Sequence, residues 1–314
     1  MQPTLPSLQA TYCGLRALKA VAIANGEFHP LEQHFIHAVQ NHILKTNLPA
    51  AALSPISPEE LASIVTDSAS RQDILHGCIL VSIIDGEPTM AQTQTINEFA
   101  QALNIQDDAL KTLHHLNKHH LNIVRFDVIR NSFVGSKLVK ELQAKGLGTL
   151  LATAKALLGQ EDSALADRYC QLEHYPSNSL GKAYFDYMRQ NGFALPGEKG
   201  GAPEIAVKHD CIHVLADYGT TVEEKVQAAG FQAAFLDRAP FWELLFVILE
   251  FHLGVQITPN AEPEKGKVDS ELLLNAFERG SYVTTNLFDN LDPWAMFDQP
   301  LEAVRRLYNI PPRA

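Results

Sequence analysis

Apolar residues recur at helical spacing in the N-terminal half of the chain. Spacings of three and four residues place side chains on one face of a helix. Two such stripes lie in the first part of this half, and they contain Leu15, Leu18, Ala22, Ile23, Phe35, Ile36 and Val39. Gly26 and Pro30, between the stripes, are typical of one helix ending and another beginning. The pattern predicts a helix-turn-helix unit.

The same pattern returns sixty residues further along the chain. Residues 85–87 (Asp-Gly-Glu) correspond to residues 25–27 (Asn-Gly-Glu), and the apolar pair Ile96 and Phe99 follows the second turn. A Gly that follows a helix adopts a left-handed conformation with little strain, so the same turn chemistry serves both copies. The sequence therefore predicts an internal duplication.

Both turns resemble the repeated unit of TerB-like tellurite-resistance domains, and the resemblance covers roughly residues 8–142. It implies an all-helical N-terminal domain with acidic residues at the turns. These acids either bind a cation or belong to ordinary turns, in which Asp-Gly-Glu is common. The first copy has Asn25 in place of the acid, which favours the structural interpretation.

Residues 208–215 have the residue types and the spacing of a metal site. On a helix, His209 and His213 share one face, and Asp210 lies beside them on the same broad side. Glu224 follows a Gly-Thr-Thr turn, falls early in the next helix and can fold back toward the pair. Two imidazoles and two carboxylates suit Zn²⁺ or Fe²⁺ better than Ca²⁺. The alternative is a solvated helix face, or core histidines satisfied by hydrogen bonds.

This stretch resembles the His-Asp-x-x-His signature of the Coq-four family of ubiquinone (coenzyme Q) biosynthesis proteins. In that family a Glu follows the second His after eleven intervening residues. Here that position is Lys225, and Glu224 lies one step early. A one-residue deletion in the turn restores the match; otherwise Glu223 is the ligand, or the acidic ligand is missing. Residues 178–188 and 292–306 resemble the family's preceding Leu-Gly-(Arg/Lys)-x-Tyr helix and its C-terminal signature.

The resemblance implies a metal-binding protein of quinone biosynthesis whose ligands are His209, Asp210, His213 and Glu224. The implied ion is divalent, with zinc favoured and iron or magnesium as the other options. The implied partners are a polyprenylated quinone precursor and the other quinone-biosynthesis proteins. The implied role is removal of the ring carboxyl with hydroxylation at that carbon, a metal-dependent oxidative decarboxylation. The alternative is a non-catalytic prenyl-lipid-binding scaffold, and nothing in the sequence separates the two.

A third interpretation is a metallo-phosphohydrolase of the His-Asp type. That class needs another upstream His and a later Asp on separate helices. His174 and either Asp237 or Asp269 are the nominees, but nothing around them fits the class. The quinone-biosynthesis interpretation is therefore preferred.

Four histidines lie close together in the N-terminal half, as the pairs His114-His115 and His119-His120. The spacing of five residues puts the pairs on partly different faces of a helix, and no carboxylate orients them. We expect a solvated or interdomain patch here rather than a metal site.

Two Gly within residues 145–148 end a helix and mark the best domain boundary. We therefore predict an all-α chain of two helical domains, residues 1–144 and residues 145–314. The first is the TerB-like helical bundle with its duplication, and the second is the metal- and lipid-binding domain. A further helix is predicted over residues 150–158.

Residues 239–255 are mostly apolar, but Glu243, Glu250 and His252 interrupt them. The stretch is too short to cross a membrane. It predicts a buried core helix, and the functional alternative is an apolar wall for a lipid tail or a face that touches a membrane.

Composition limits the remaining function classes. The formal net charge of −11 argues against a general nucleic-acid binder, which needs a positive surface. The four cysteines are far apart and form no CxxC, which is typical of reduced thiols in the cytosol. No secretory signal is visible. We expect a cytoplasmic protein, either free or peripheral on the inner membrane face, with the oligomeric state open and a homo-oligomer as one option.

Overall fold

The computed structural model describes residues 7–132, 135, 161–236, 240–257 and 262–313. Over these residues the chain is helical and forms no β-strand, which confirms the all-α fold class. The predicted boundary within residues 145–148 and the predicted helix over residues 150–158 lie outside the described residues.

Sixteen α-helices occur in the described part of the chain. They are α1 Leu8–Ala22, α2 Pro30–Ala38, α3 Pro58–Ile64, α4 Ser68–Val81, α5 Met90–Ala102, α6 Asp108–Asn117, α7 Leu121–Asn131, α8 Ser163–Cys170, α9 Leu180–Gln190, α10 Val207–Ala216, α11 Val222–Ala234, α12 Pro240–Phe251, α13 Ser270–Gly280, α14 Leu287–Asn290, α15 Pro293–Met296 and α16 Leu301–Leu307. No helix in the described ranges has both the length and the hydrophobicity needed to cross a bilayer.

The chain divides into two compact units. The N-terminal unit contains residues 3–132 and 241–278, and the C-terminal unit contains residues 1–2, 133–240 and 279–314. Residues 241–278 therefore belong with the N-terminal helices, whereas the sequence analysis assigned them to the second domain. An apolar helix joins whichever core covers it, and its position in the chain does not determine which core that is.

In both helix-turn-helix copies of the N-terminal unit, the second helix begins with a capping box. Helix α2 begins with a capping box formed by His29 and Glu32, and helix α5 begins with one formed by Thr89 and Gln92. The side-chain amide of Gln92 donates a 2.9 Å hydrogen bond to the buried carboxylate of Glu32. Equivalent residues of the two copies therefore meet directly in the core of this unit.

Helix α12 is the apolar helix predicted from residues 239–255. Most of its side chains are buried, which is typical of a helix that is hydrophobic on all sides. The Phe241 ring stacks on the His76 ring with the centroids 4.1 Å apart. Just beyond the helix, His252 Nε2 donates a 2.7 Å hydrogen bond to the carbonyl oxygen of Ile84. These contacts place α12 in the core of the N-terminal unit.

Close backbone contacts hold α9 in the C-terminal unit. The backbone N–H of Gly181 donates a 2.8 Å hydrogen bond to the carbonyl oxygen of Phe297. A Cβ atom at this position would lie 2.8 Å from the same oxygen, so only Gly allows the approach. Helix α9 packs against α10, the helix that carries the predicted metal ligands.

Candidate functional site

Helix α10 brings the two predicted histidine ligands together. His209 and His213 lie one turn apart, and their ring centroids are 4.8 Å apart in an edge-on arrangement. Two imidazoles that share one ion at a metal–nitrogen distance of about 2.0–2.1 Å place their centroids roughly 4.5–5.5 Å apart. The observed separation is therefore that of a pair able to chelate a cation.

The surroundings of His213 fix which ring nitrogen carries the proton. Its Nδ1 lies 3.3 Å from the carbonyl oxygen of Tyr218 and 3.2 Å from that of Gly219. A carbonyl only accepts hydrogen bonds, so Nδ1 is the protonated nitrogen and Nε2 keeps its lone pair. Burial lowers the pKa of the His213 imidazole, although these carbonyls oppose the shift. A neutral ring with a free Nε2 is the form that binds metals.

His209 combines an exposed side chain with a dense protein surrounding. The side chain is exposed to solvent, yet protein surrounds it so densely that burial lowers the pKa of its imidazole. The side-chain amide of Gln232 on α11 donates a 3.2 Å hydrogen bond to its Nδ1, so the neutral His209 ring carries its proton on Nε2. The ring is thus held by protein on one side while solvent, or a ligand, can reach it from the other.

Asp210 adds a carboxyl group with an unusual environment. Burial raises its pKa to about 7. Tyr184 of α9 lies near enough that the charge of Asp210 adds to burial in raising the pKa of its phenol. The Tyr184 hydroxyl is itself buried and has no hydrogen-bond partner in the described structure. Unsatisfied polar groups of this kind are rare in interiors and cluster at binding sites.

Glu224, the predicted fourth ligand, is hydrogen-bonded to Arg313 and Thr221. Its carboxylate receives a 2.9 Å hydrogen bond from Arg313 and a 3.2 Å hydrogen bond from the hydroxyl of Thr221. Burial raises its pKa, but Arg313, the N–H of Gly219 and Thr221 together outweigh burial and lower it. Glu223, the alternative ligand, is exposed. Among the described residues, no three His, Cys, Asp or Glu side chains lie close enough together to hold a metal ion.

Three arginines from distant parts of the chain fix the end of α10, a role that the sequence did not indicate. Arg305 donates to the carbonyl oxygens of Val214 and Leu215 at 3.1 and 2.9 Å. Arg279 donates to Ala216 at 2.8 Å, and Arg313 donates to Asp217 at 2.7 Å. These carbonyls have no partner within the helix, and the negative end of the helix dipole favours cations. No local pattern indicates this role, because the arginines lie far from α10 in sequence.

Two of the three phosphohydrolase nominees lie in the described part of the chain. Asp269 accepts hydrogen bonds from the backbone N–H groups of Glu271 and Leu272 at the start of α13, in the N-terminal unit. His174 is exposed in the C-terminal unit, and Asp237 lies outside the described residues.

The structure thus brings His209 and His213 together. Among the described residues it does not gather Asp210 with them into a three-ligand group, and it holds Glu224 on Arg313. No known family model matches the chain, and no curated protein sequence matches it. The two family resemblances and the ligand assignment therefore stay predictions.

Proposed function

We propose that this protein acts in quinone (ubiquinone) biosynthesis and binds a divalent metal and a polyprenylated aromatic intermediate at the site on α10. One observation carries the proposal. The imidazoles of His209 and His213 lie at chelating distance, and two carbonyls leave the Nε2 of His213 free for a ligand. A solvated helix face would not need a histidine whose tautomer is fixed by the backbone.

The donor set fits the metal half of the proposal through its nitrogens. His209 and His213 would supply two ligands, His209 by exchanging its hydrogen bond from Gln232 for the ion. Asp210 would supply an oxygen only by moving toward the pair, because the described residues contain no assembled three-ligand group. Glu224 would supply another only by exchanging Arg313 for the ion. Such an ion polarises a ring carboxylate or phenol oxygen and, if it is iron, also handles oxygen. This chemistry suits decarboxylation with hydroxylation of an aromatic ring.

The lipid half of the proposal rests on the C-terminal unit alone. Helix α12, the candidate wall for a prenyl tail, belongs to the N-terminal unit and is not assigned to the site. Near Asp210, the partly exposed ring of Tyr187 provides aromatic surface, whereas the ring of Tyr184 is fully buried. Tyr187 lies 6.1 Å from the His213 ring, measured between centroids. Aromatic rings beside a polar group are the usual lining of a site for an aromatic ligand.

The non-catalytic scaffold is the second candidate function. It is favoured by the absence of a three-ligand group from the described residues and by the engagement of Glu224 with Arg313. In this form the protein holds the prenylated intermediate for other enzymes, and the histidines shape the site without a metal.

Mass spectrometry of the native protein, with elemental analysis, tests both forms. The enzyme form predicts about one equivalent of zinc or iron, which His213→Ala removes and His174→Ala retains. The scaffold form predicts a copurifying prenyl lipid without metal, unchanged by His213→Ala. A protein that carries neither metal nor prenyl lipid, and whose loss leaves quinone levels normal, would refute the proposal.

A further inference from the structure

The proposed function leaves one cluster of metal-binding side chains unused. His114, His115, His119 and His120 lie at the turn between α6, which ends at Asn117, and α7 in the N-terminal unit. The sequence analysis placed the two pairs on one helix, where a spacing of five separates them. The helix instead ends between the pairs, so the turn decides which rings meet.

The turn is a Schellman motif. The backbone N–H of His120 donates to the carbonyl of His115, and that of His119 donates to the carbonyl of Leu116, both at 2.9 Å. His119 adopts the left-handed conformation with φ 54° that this motif requires. In such a motif the residues at the two ends of the turn touch, normally through apolar side chains. Here the touching residues are His115 and His120.

The two rings approach as a chelating pair would. Their centroids are 5.8 Å apart and the ring planes are inclined by 37°. A shared ion requires roughly 4.5–5.5 Å, so a small rotation of the exposed His120 side chain is sufficient. His115 Nδ1 is buried and has no hydrogen-bond partner in the described structure. A nitrogen without a partner is a polar group that a bound ion can satisfy.

The charges around the turn favour a cation over an anion. The carbonyl end of α6 points at the turn, and the C-terminal end of a helix carries partial negative charge. The carboxylate of Glu87 lies 3.7 Å from His119 Nδ1. No group of three ligands is assembled at this turn in the described structure, so water completes the coordination. Imidazole nitrogens select Cu²⁺, Ni²⁺ and Zn²⁺ over Ca²⁺ and Mg²⁺.

We propose that His115 and His120 form a two-nitrogen binding site for a first-row transition-metal cation at the α6–α7 turn. The site is independent of the α10 histidines, and it gives the N-terminal unit a metal-responsive element of its own. Metal binding would tie the end of α6 to the start of α7 and so rigidify the turn.

Cu²⁺ binding to the full-length protein tests the proposal. Isothermal titration calorimetry is compared for the wild type, His120→Gln and His114→Gln. His114 is exposed on the same turn and outside the proposed pair, and the α10 histidines contribute equally to all three proteins. We expect His120→Gln to lower the Cu²⁺ affinity of the α6–α7 site by about tenfold or more, so that this class of site is lost from the titration. We expect His114→Gln to retain it. His115→Gln should match His120→Gln, with circular dichroism verifying that it is folded.

Electron paramagnetic resonance gives a second readout. In a His213→Gln background, which removes the α10 pair, Cu²⁺ held by His115 and His120 shows superhyperfine splitting from two nitrogens, and adding His120→Gln reduces this to one. Equal titrations for His114→Gln and His120→Gln would overturn the proposal. A spectrum with a single coordinating nitrogen in the His213→Gln background, the mark of an adventitious ion only, would overturn it as well.

Discussion

The buried carboxyl of Glu32 should make the stability of the N-terminal unit depend on pH. The side chain is 0 % exposed. Its oxygens accept hydrogen bonds from the backbone N–H of His29 at 3.0 Å and from the amide of Gln92 at 2.9 Å. Burial raises the pKa of Glu32 to about 8, with the nearby charges of Asp85 and Glu27 contributing and the hydrogen bonds opposing. The pair links equivalent positions of the two helix-turn-helix copies.

The direction of the effect follows from the folded and unfolded pKa values. The folded value lies above the ordinary pKa of 4.5, so the folded unit holds a proton on Glu32 that the unfolded chain releases. This stabilisation is complete below pH 4.5 and is lost as the pH rises through about 8. At ~1.4 kcal/mol for each pKa unit, Glu32 alone should lower the free energy of unfolding by about 2.5 kcal/mol between pH 5 and pH 7.

Urea unfolding at several pH values measures this slope. The chain has two tryptophans, and only Trp242 lies in the N-terminal unit, so Trp294→Phe leaves a fluorescent probe of that unit alone. In this background, Glu32→Gln should remove the decrease of about 2.5 kcal/mol between pH 5 and pH 7, while Glu98→Gln, at an exposed position on α5, should retain it. Parallel pH profiles for the parent and Glu32→Gln would refute the assignment of a buried proton to Glu32.

Three further substitutions test the frame of the candidate site by thermal unfolding. Glu224→Gln breaks a hydrogen-bonded ion pair and should destabilise the protein by about 1–3 kcal/mol, whereas the exposed Glu223→Gln should have almost no effect. Arg305→Ala leaves the Leu215 carbonyl without its partner and should cost about 1–3 kcal/mol, while the exposed Arg306→Ala should be neutral. Gly181→Ala forces a Cβ atom against a backbone oxygen and should cost about 1–3 kcal/mol, and an unchanged melting temperature would contradict the close approach.

Helical periodicity was sufficient to predict the fold class and the histidine pair. Both depend on short spacings along one helix, which the 3.6-residue period converts directly into a shared face. The spacing of four positions from His209 to His213 therefore predicted an approach that the structure shows at 4.8 Å between centroids. The turn at residues 25–27 was also predicted from local sequence: Gly26 takes the left-handed conformation expected after a helix, with a φ of 91°.

Predictions from helical spacing were wrong where the helix ends. For His115 and His120 the sequence analysis used the helical period, but α6 ends between them and a Schellman turn sets their separation instead. Glu224 has a spacing that fits two roles, a metal ligand and a partner in helix capping. Thr221 and Glu224 have the spacing of a capping pair, and that local role, together with Arg313, already accounts for the position of the carboxylate. A motif that fits two roles does not reveal which role the fold uses.

Long-range contacts explain why the metal-binding form of His213 could not be predicted from its own helix. The tautomer depends on the carbonyls of Tyr218 and Gly219, and these follow the left-handed residue Asp217 that ends α10. Asp217 is held in turn by Arg313, which lies almost a hundred residues further along the chain. The C-terminal arginines therefore act on the ligand through the backbone of the turn. If the α10 site binds metal, its affinity is set partly by residues that never approach the ion.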